Sequence, residues 1–147
     1  MLCSPTIQQL TKPEGPILIV EDDVDQWFII RWALLRRFPS LEPIWAPDSD
    51  KALAYLETCL EDQEGLPHLI LLDLYLPHRE TGLTFLEIIK NHSLYRDIPV
   101  VMLSHSTYPD DIKDAYLLNC DFYIVKPGDY QKWIESMDYL ETYWRIS

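Results

Sequence analysis

The stretch Pro16-Ile17-Leu18-Ile19-Val20-Glu21-Asp22-Asp23 decides how this chain is read. Four apolar residues, Ile17 to Val20, run without a polar break and stop at three carboxylates. A short, β-branched, unbroken run of this kind predicts a strand buried on both faces. The pattern returns along the chain. Leu69-Ile70-Leu71-Leu72 predicts a third strand ending at Asp73, Ile98 to Leu103 a fourth ending at Ser104, and Phe122 to Val125 a fifth ending at Lys126-Pro127. Leu41 to Ala46 is a weaker second strand.

Helical stripes lie between these runs. Val24, Trp27, Phe28, Leu34, Leu35 and Phe38 form the first, which Pro39 stops. Asp48 or Ser49 can cap a second helix with its stripe at Leu53, Leu56 and Leu60, and Gly65 and Pro67 then break the chain. Gly82 to Lys90 predicts a third helix with Phe85, Leu86 and Ile89 inward, and Asp110 to Leu118 a short fourth. The fifth runs from Asp129 to about Trp144, with Trp133, Ile134, Met137, Leu140 and Trp144 on its stripe. Strands alternating with helices predict an α/β fold, a parallel sheet covered on both faces. Residues 1–15, with Pro5, Pro13 and Gly15 and no period, read as a flexible N-terminal extension; residues 16–147 read as one domain.

The charge balance narrows the function. Lys and Arg number 12 against 24 Asp and Glu, a formal net charge of −12. Such a chain is poorly suited to track a phosphate backbone, so no direct nucleic-acid partner is expected. No apolar run approaches the length of a membrane span, and Met1 to Pro16 lacks the charged and apolar regions of a secretory signal. Cys3, Cys59 and Cys120 are odd in number, far apart and form no CxxC pair, which suits free thiols in a cytoplasmic protein.

In a parallel sheet of this type the ligand crevice lies beyond the carboxyl ends of the strands. Glu21 and Asp22, Asp73, Ser104 and Lys126 all fall there. Carboxylates brought together repel and call for a cation. An all-oxygen donor set on a shallow rim suits Mg2+, which keeps waters and favours phosphate co-ligands. A hydroxyl and an ammonium beside them complete the parts of a phosphoryl-transfer site with a carboxylate nucleophile. Each residue alone also has a plain reading: helix-terminal acids, turn residues, a solvated lysine. The signal is their occurrence in order, each directly after an apolar strand.

ILIVEDD, LILLDLYLP, VVMLS and YIVKP, in this order, resemble the receiver (response regulator) domain of two-component signalling, over about residues 16–145. The resemblance implies a flavodoxin-like, doubly wound (βα)5 fold with strand order 2-1-3-4-5. It implies Asp73 as phosphoacceptor and a Mg2+ site of Glu21, Asp22, Asp73 and the Tyr75 backbone carbonyl. Ser104 and Tyr123 become the switch residues, with Ser104 and Lys126 serving the phosphoryl group, and the Lys126–Pro127 bond is expected to be cis. The implied partner is a histidine kinase or histidine phosphotransfer protein. The face of helix four, strand five and helix five is the expected surface for a target or a second copy. Tyr139 and Tyr143, off the inward stripe of helix five, add aromatic surface there.

The chain departs from the family pattern at several points. His105 follows Ser104 where a small residue is usual, so it either gates the phosphoryl group or turns to solvent. Tyr75 is bulky for its place, Pro77 to Gly82 reads one residue long, and Asn119-Cys120 replaces Gly-Ala before strand five. Asn119 can adopt the left-handed conformation glycine would supply. The expected function is a single-domain receiver that takes a phosphoryl group from a phosphohistidine onto Asp73, catalysing its own phosphotransfer and slow dephosphorylation. The alternative is a phosphorylation-independent binding module on the same scaffold. A hydrolase with an Asp nucleophile would want a second Asp where Tyr75 stands, and a flavodoxin a glycine- and hydroxyl-rich loop where Glu21-Asp22-Asp23 stands.

Overall fold

Five parallel strands lie in the order β2-β1-β3-β4-β5. The structure is a computed structural model and describes residues 13–62 and 65–144. In chain order the elements are β1 (Gly15–Val20), α1 (Val24–Arg37), β2 (Leu41–Ala46), α2 (Ser49–Asp62), β3 (Ile70–Leu72), α3 (Arg79–Asn91), β4 (Val100–Ser104), α4 (Pro109–Leu117), β5 (Phe122–Val125) and α5 (Tyr130–Ser136). A 3-10 helix, Met137–Trp144, follows α5.

The two-residue period of the strands divides the core into two layers. Leu18 and Val20 of β1, Ile70 and Leu72 of β3, and Val100 and Met102 of β4 face one side, where Leu56, Phe85, Leu86, Ile89 and Ala115 of α2, α3 and α4 cover them. Ile17, Ile19, Leu71, Val101 and Leu103 face the other, against Trp27, Ile30 and Leu34 of α1 and Trp133, Met137 and Leu140. Strands buried on both faces explain the unbroken apolar runs Ile17–Val20, Ile70–Leu72 and Val100–Leu103 in β1, β3 and β4, while edge strand β2 carries Glu42. A second layer of order lies at the opposite edge of the sheet. Lys90 Nζ donates to the Ile98 carbonyl at 2.9 Å and to Asp121 Oδ2 at 2.8 Å, and the same oxygen accepts from Val100 N at 2.8 Å.

Several expectations need correction. Phe28 is 59% exposed, because the buried ridge of α1 runs through Trp27, Ile30, Ala33 and Leu34, one residue out of phase with it. In α2 the ridge is Ala52, Leu56 and Cys59, so Leu60 faces outward. Asp48, just before α2, accepts from Lys51 N and is the cap. α3 begins three residues earlier than Gly82, at Arg79, which places Gly82 inside the helix. The single long fifth helix is instead α5 plus a 3-10 segment. With three residues per turn, positions 137, 140 and 143 line up. That brings Tyr143 partly into the core beside Met137 and Leu140, although an α-helical stripe would leave it outside. Tyr139 stays exposed with its ring on Phe122. The Trp144 side chain lies outside the described residues.

Gly15 belongs to β1, paired with Leu41, so the sheet starts one residue inside the expected extension; residues 1–12 lie outside the described residues. The cis proline bond among the described residues is Leu76–Pro77, and Lys126–Pro127 is not cis. The residue pair alone leaves that choice open, since the trans preference before proline is only about 0.5–1 kcal/mol. Asn119 does take the left-handed conformation, at φ 72°.

Candidate functional site

Four of the expected residues meet at the carboxyl edge of β1, β3 and β5. Lys126 Nζ lies 2.8 Å from Glu21 Oε1 and 3.4 Å from Asp73 Oδ2. Glu21, Asp73 and Lys126 are buried, while Asp22 is exposed. One carboxylate oxygen from each of Glu21, Asp22 and Asp73 lies within 4.8 Å of the others. Burial pushes the Glu21 carboxyl up to about 7; the Lys126 ammonium opposes this and the Asp73 charge adds to it. Three carboxylates facing one ammonium leave excess negative charge, and their all-oxygen donor set fits a hard divalent cation.

The backbone around the cluster is fixed by local features. Trp45 Nε1 donates to the Glu21 carbonyl at 2.7 Å, and the Trp45 ring stacks on Trp27 with centroids 5.5 Å apart. Asp23 caps α1 by accepting from Asp25 N and Gln26 N, which accounts for the third acid of the run without a site role. Asp73 Oδ1 accepts from Tyr75 N at 3.2 Å.

Ser104 ends β4 fully buried, and its carbonyl accepts from Lys126 N at 2.7 Å across the β4–β5 pair. Its Oγ accepts from Ser106 N at 3.1 Å. Tyr123 is buried, with its hydroxyl donating to the Ser106 carbonyl at 3.0 Å, and burial raises its pKa. His105 is exposed and lines a hollow with Gln26, Ile29, Pro127, Tyr130 and Trp133. Of the two orientations open to it, the structure shows the one turned to solvent, along the α1 side of the rim.

A network beside the cluster was not legible in the sequence. Asp111, buried in the first turn of α4, accepts from Tyr75 Oη at 2.8 Å, from Ser106 Oγ and from Arg79 Nε, and Arg79 also bridges to Asp114. These partners lie up to 36 residues apart, and Asp110-Asp111 after Pro109 looks like ordinary helix-start acid. The only sequence signal was the large polar side chain at Tyr75.

Residues 17–138 match the family model for the response regulator receiver domain. The chain belongs to the receiver-domain family. Its receiver fold is shared with the crystal structure of the phosphorylated cyanobacterial phytochrome response regulator RcpA, at a TM-score of 0.76 and 32% identity over 90% of this chain and 94% of that one. Response regulator Rcp1 of Synechocystis is 31% identical over 91% of both chains. A crystal structure of its Mn2+-bound form superposes with a TM-score of 0.73. The probable methanogenesis regulatory protein FilR2 of Methanothrix harundinacea is 34% identical over 87% of this receiver and 82% of its own length. The receiver is thus a signalling module of a two-component system, and no helix among its described residues is long and apolar enough to cross a membrane.

Proposed function

We propose that this receiver is a phosphorelay switch in which Asp73 accepts a phosphoryl group from a phosphohistidine. The observation that carries the reading is the buried Lys126 ammonium placed between Glu21 and Asp73, beside a three-carboxylate cluster. Glu21, Asp22, Asp73 and the Tyr75 backbone carbonyl would hold Mg2+, which supplies charge neutralisation on the phosphoryl oxygens when bound. Rcp1, whose structure has a Mn2+-bound form, supports a divalent site. An Asp73 carboxylate oxygen attacks phosphorus in line, the P–N bond breaks, and the imidazole of the donor leaves with the electron pair. Lys126 balances the negative charge of the transferred group, and the Ser104 hydroxyl donates to one of its oxygens. Movement of Ser104 toward that oxygen shifts its loop and Tyr123 with it, which biases α4 between two positions.

The donor is a histidine kinase or a histidine phosphotransfer protein. RcpA, a phytochrome response regulator, makes a phytochrome-type kinase the first class to test. A target or a second copy would use the face of α4, β5 and α5, where Tyr116, Leu117 and Val125 are exposed. The buried free thiols of Cys59 and Cys120 suit the cytoplasm.

The test is intact-mass measurement after treatment with acetyl phosphate and Mg2+. Wild type should gain the mass of a single phosphoryl group and Asp73→Asn none. An unmodified wild type would leave the phosphorylation-independent binding module as the reading; a modified Asp73→Asn would move the acceptor elsewhere.

A further inference from the structure

Asp111 takes no part in the phosphoryl chemistry proposed above, yet its carboxylate is buried and draws donors from three other segments. Tyr75 Oη and Ser106 Oγ both donate to Oδ2, one from the segment after β3 and the other from the loop after β4. Arg79 Nε, at the start of α3, donates to Oδ1. Burial alone would raise the Asp111 carboxyl, but the Ser106, Arg79 and Tyr75 donors together hold it below the usual carboxylate range. A buried carboxylate so fully paired fixes its partners, because releasing any of them leaves a charged acceptor short of a donor.

Two of those partners are tied to the phosphoacceptor site by their own backbones. Tyr75 N donates to Asp73 Oδ1 at 3.2 Å while its hydroxyl is anchored 2.8 Å from Asp111, so the residue ties Asp73 to α4, through its backbone at one end and its hydroxyl at the other. Ser106 N donates to Ser104 Oγ, and the Ser106 carbonyl accepts from Tyr123 Oη. The serine and the tyrosine of the switch therefore meet at Ser106, and Ser106 hangs on Asp111.

We propose that Asp111 is a positioning residue that sets the lifetime of the acyl phosphate on Asp73, by holding the Tyr75 ring as a bar between the phosphoacceptor and α4 and the Ser106 loop against Ser104. The inference rests on the reading of Asp73 as phosphoacceptor. The step it controls is hydrolysis. A water oxygen bonds to phosphorus, the acyl P–O bond breaks onto the Asp73 carboxylate, and the group leaves as dihydrogen phosphate carrying both water protons. A residue pinned at both ends narrows the approach of that water; a ring freed at its hydroxyl opens it.

The test loads wild type, Tyr75→Phe, Asp111→Ala and the double variant with acetyl phosphate and Mg2+, removes the donor, and follows the phosphorylated mass with time. Tyr75→Phe is the variant safest for folding, since the residue is 37% exposed. Its acyl phosphate should decay about fivefold faster, the worth of one hydrogen bond. Asp111→Ala should decay at least as fast, and the double variant no faster than Asp111→Ala, because the hydroxyl has already lost its anchor. A merely structural role would not produce that non-additivity. Equal lifetimes in wild type and Tyr75→Phe, or effects that multiply in the double variant, overturn the inference alone. A wild type that gains no phosphoryl mass overturns the phosphoacceptor reading and this inference with it.

Discussion

The Lys126 ammonium stands 2.8 Å from Glu21 Oε1, with both side chains buried at the edge of the sheet. It is nearer to Glu21 than to Asp73, at 3.4 Å, so in this arrangement the lysine is held chiefly by Glu21 and not by the proposed phosphoacceptor. A cation on the carboxylates would loosen that hold and free the ammonium for a phosphoryl oxygen.

The pair also predicts a pH dependence in the cation-free protein. Burial raises Glu21 from its ordinary 4.5 to about 7, so the folded chain binds that proton more tightly than the unfolded chain. The resulting contribution to stability is fully present below about pH 4.5 and is lost as pH rises through about 7. Its scale is about 1.4 kcal/mol for each tenfold difference in proton affinity. Urea unfolding in the presence of a chelator should show stability falling across this window, and Glu21→Gln should flatten the fall. Parallel curves for the two proteins would contradict it.

Divalent binding should rest on Asp22, the exposed member of the carboxylate trio. Trp45 donates to the Glu21 carbonyl and stacks on Trp27, which places two indoles beside the cluster as reporters. Asp22→Ala should weaken Mg2+ by tenfold or more in a fluorescence titration, roughly 1.4 kcal/mol for one charged ligand lost. An unchanged midpoint would remove Asp22 from the ligand set.

Gly82 shows how the site depends on packing. A Cβ there would stand 1.8 Å from the carbonyl oxygen of Leu74, the residue after Asp73. Only glycine lets α3 lie directly on that segment, and the obstruction is backbone, which cannot rotate away. Gly82→Ala should lower unfolding free energy by about 3 kcal/mol, the upper end for overpacking, and should slow phosphorylation of Asp73 because the segment must shift. A wild-type urea midpoint together with a wild-type phosphorylation rate would show that the segment yields without cost.

The strands were legible because strands buried on both faces leave continuous apolar runs, as in Ile17 to Val20 and Leu69 to Leu72; their order came from the family resemblance, since apolar runs do not record which strands pair. The residues closing those runs, Glu21, Asp73, Ser104 and Lys126, are placed by strand ends, and strand ends follow from the same runs. Helix phase was less legible. Phe28 and Trp27 are equally apolar, and only the neighbouring sheet decides which is buried. The 3-10 winding of Met137–Trp144 leaves little local signature, and the α-helical period puts Tyr143 on the wrong face. The Asp111 network was hidden for a different reason: it joins two loops and two helices through side chains, and no periodicity records that.

His105 lies next to Ser104 in the sequence. From sequence it could either block water at the phosphoryl group or face solvent. In the structure it is exposed and shares a hollow with Gln26, Ile29, Pro127, Tyr130 and Trp133, residues of α1, of the turn after β5 and of α5. The residue that reaches from Asp73 across to α4 is Tyr75, on the opposite flank of the sheet edge. Shielding and added positive charge both require the imidazole to face the phosphoryl oxygens, and an exposed imidazole in that hollow supplies neither. His105→Ala should therefore leave the acyl-phosphate lifetime within about twofold of wild type, the range of surface substitutions away from special features. Decay curves measured side by side decide it: a clearly faster decay in His105→Ala would place the imidazole over the phosphoryl group after all.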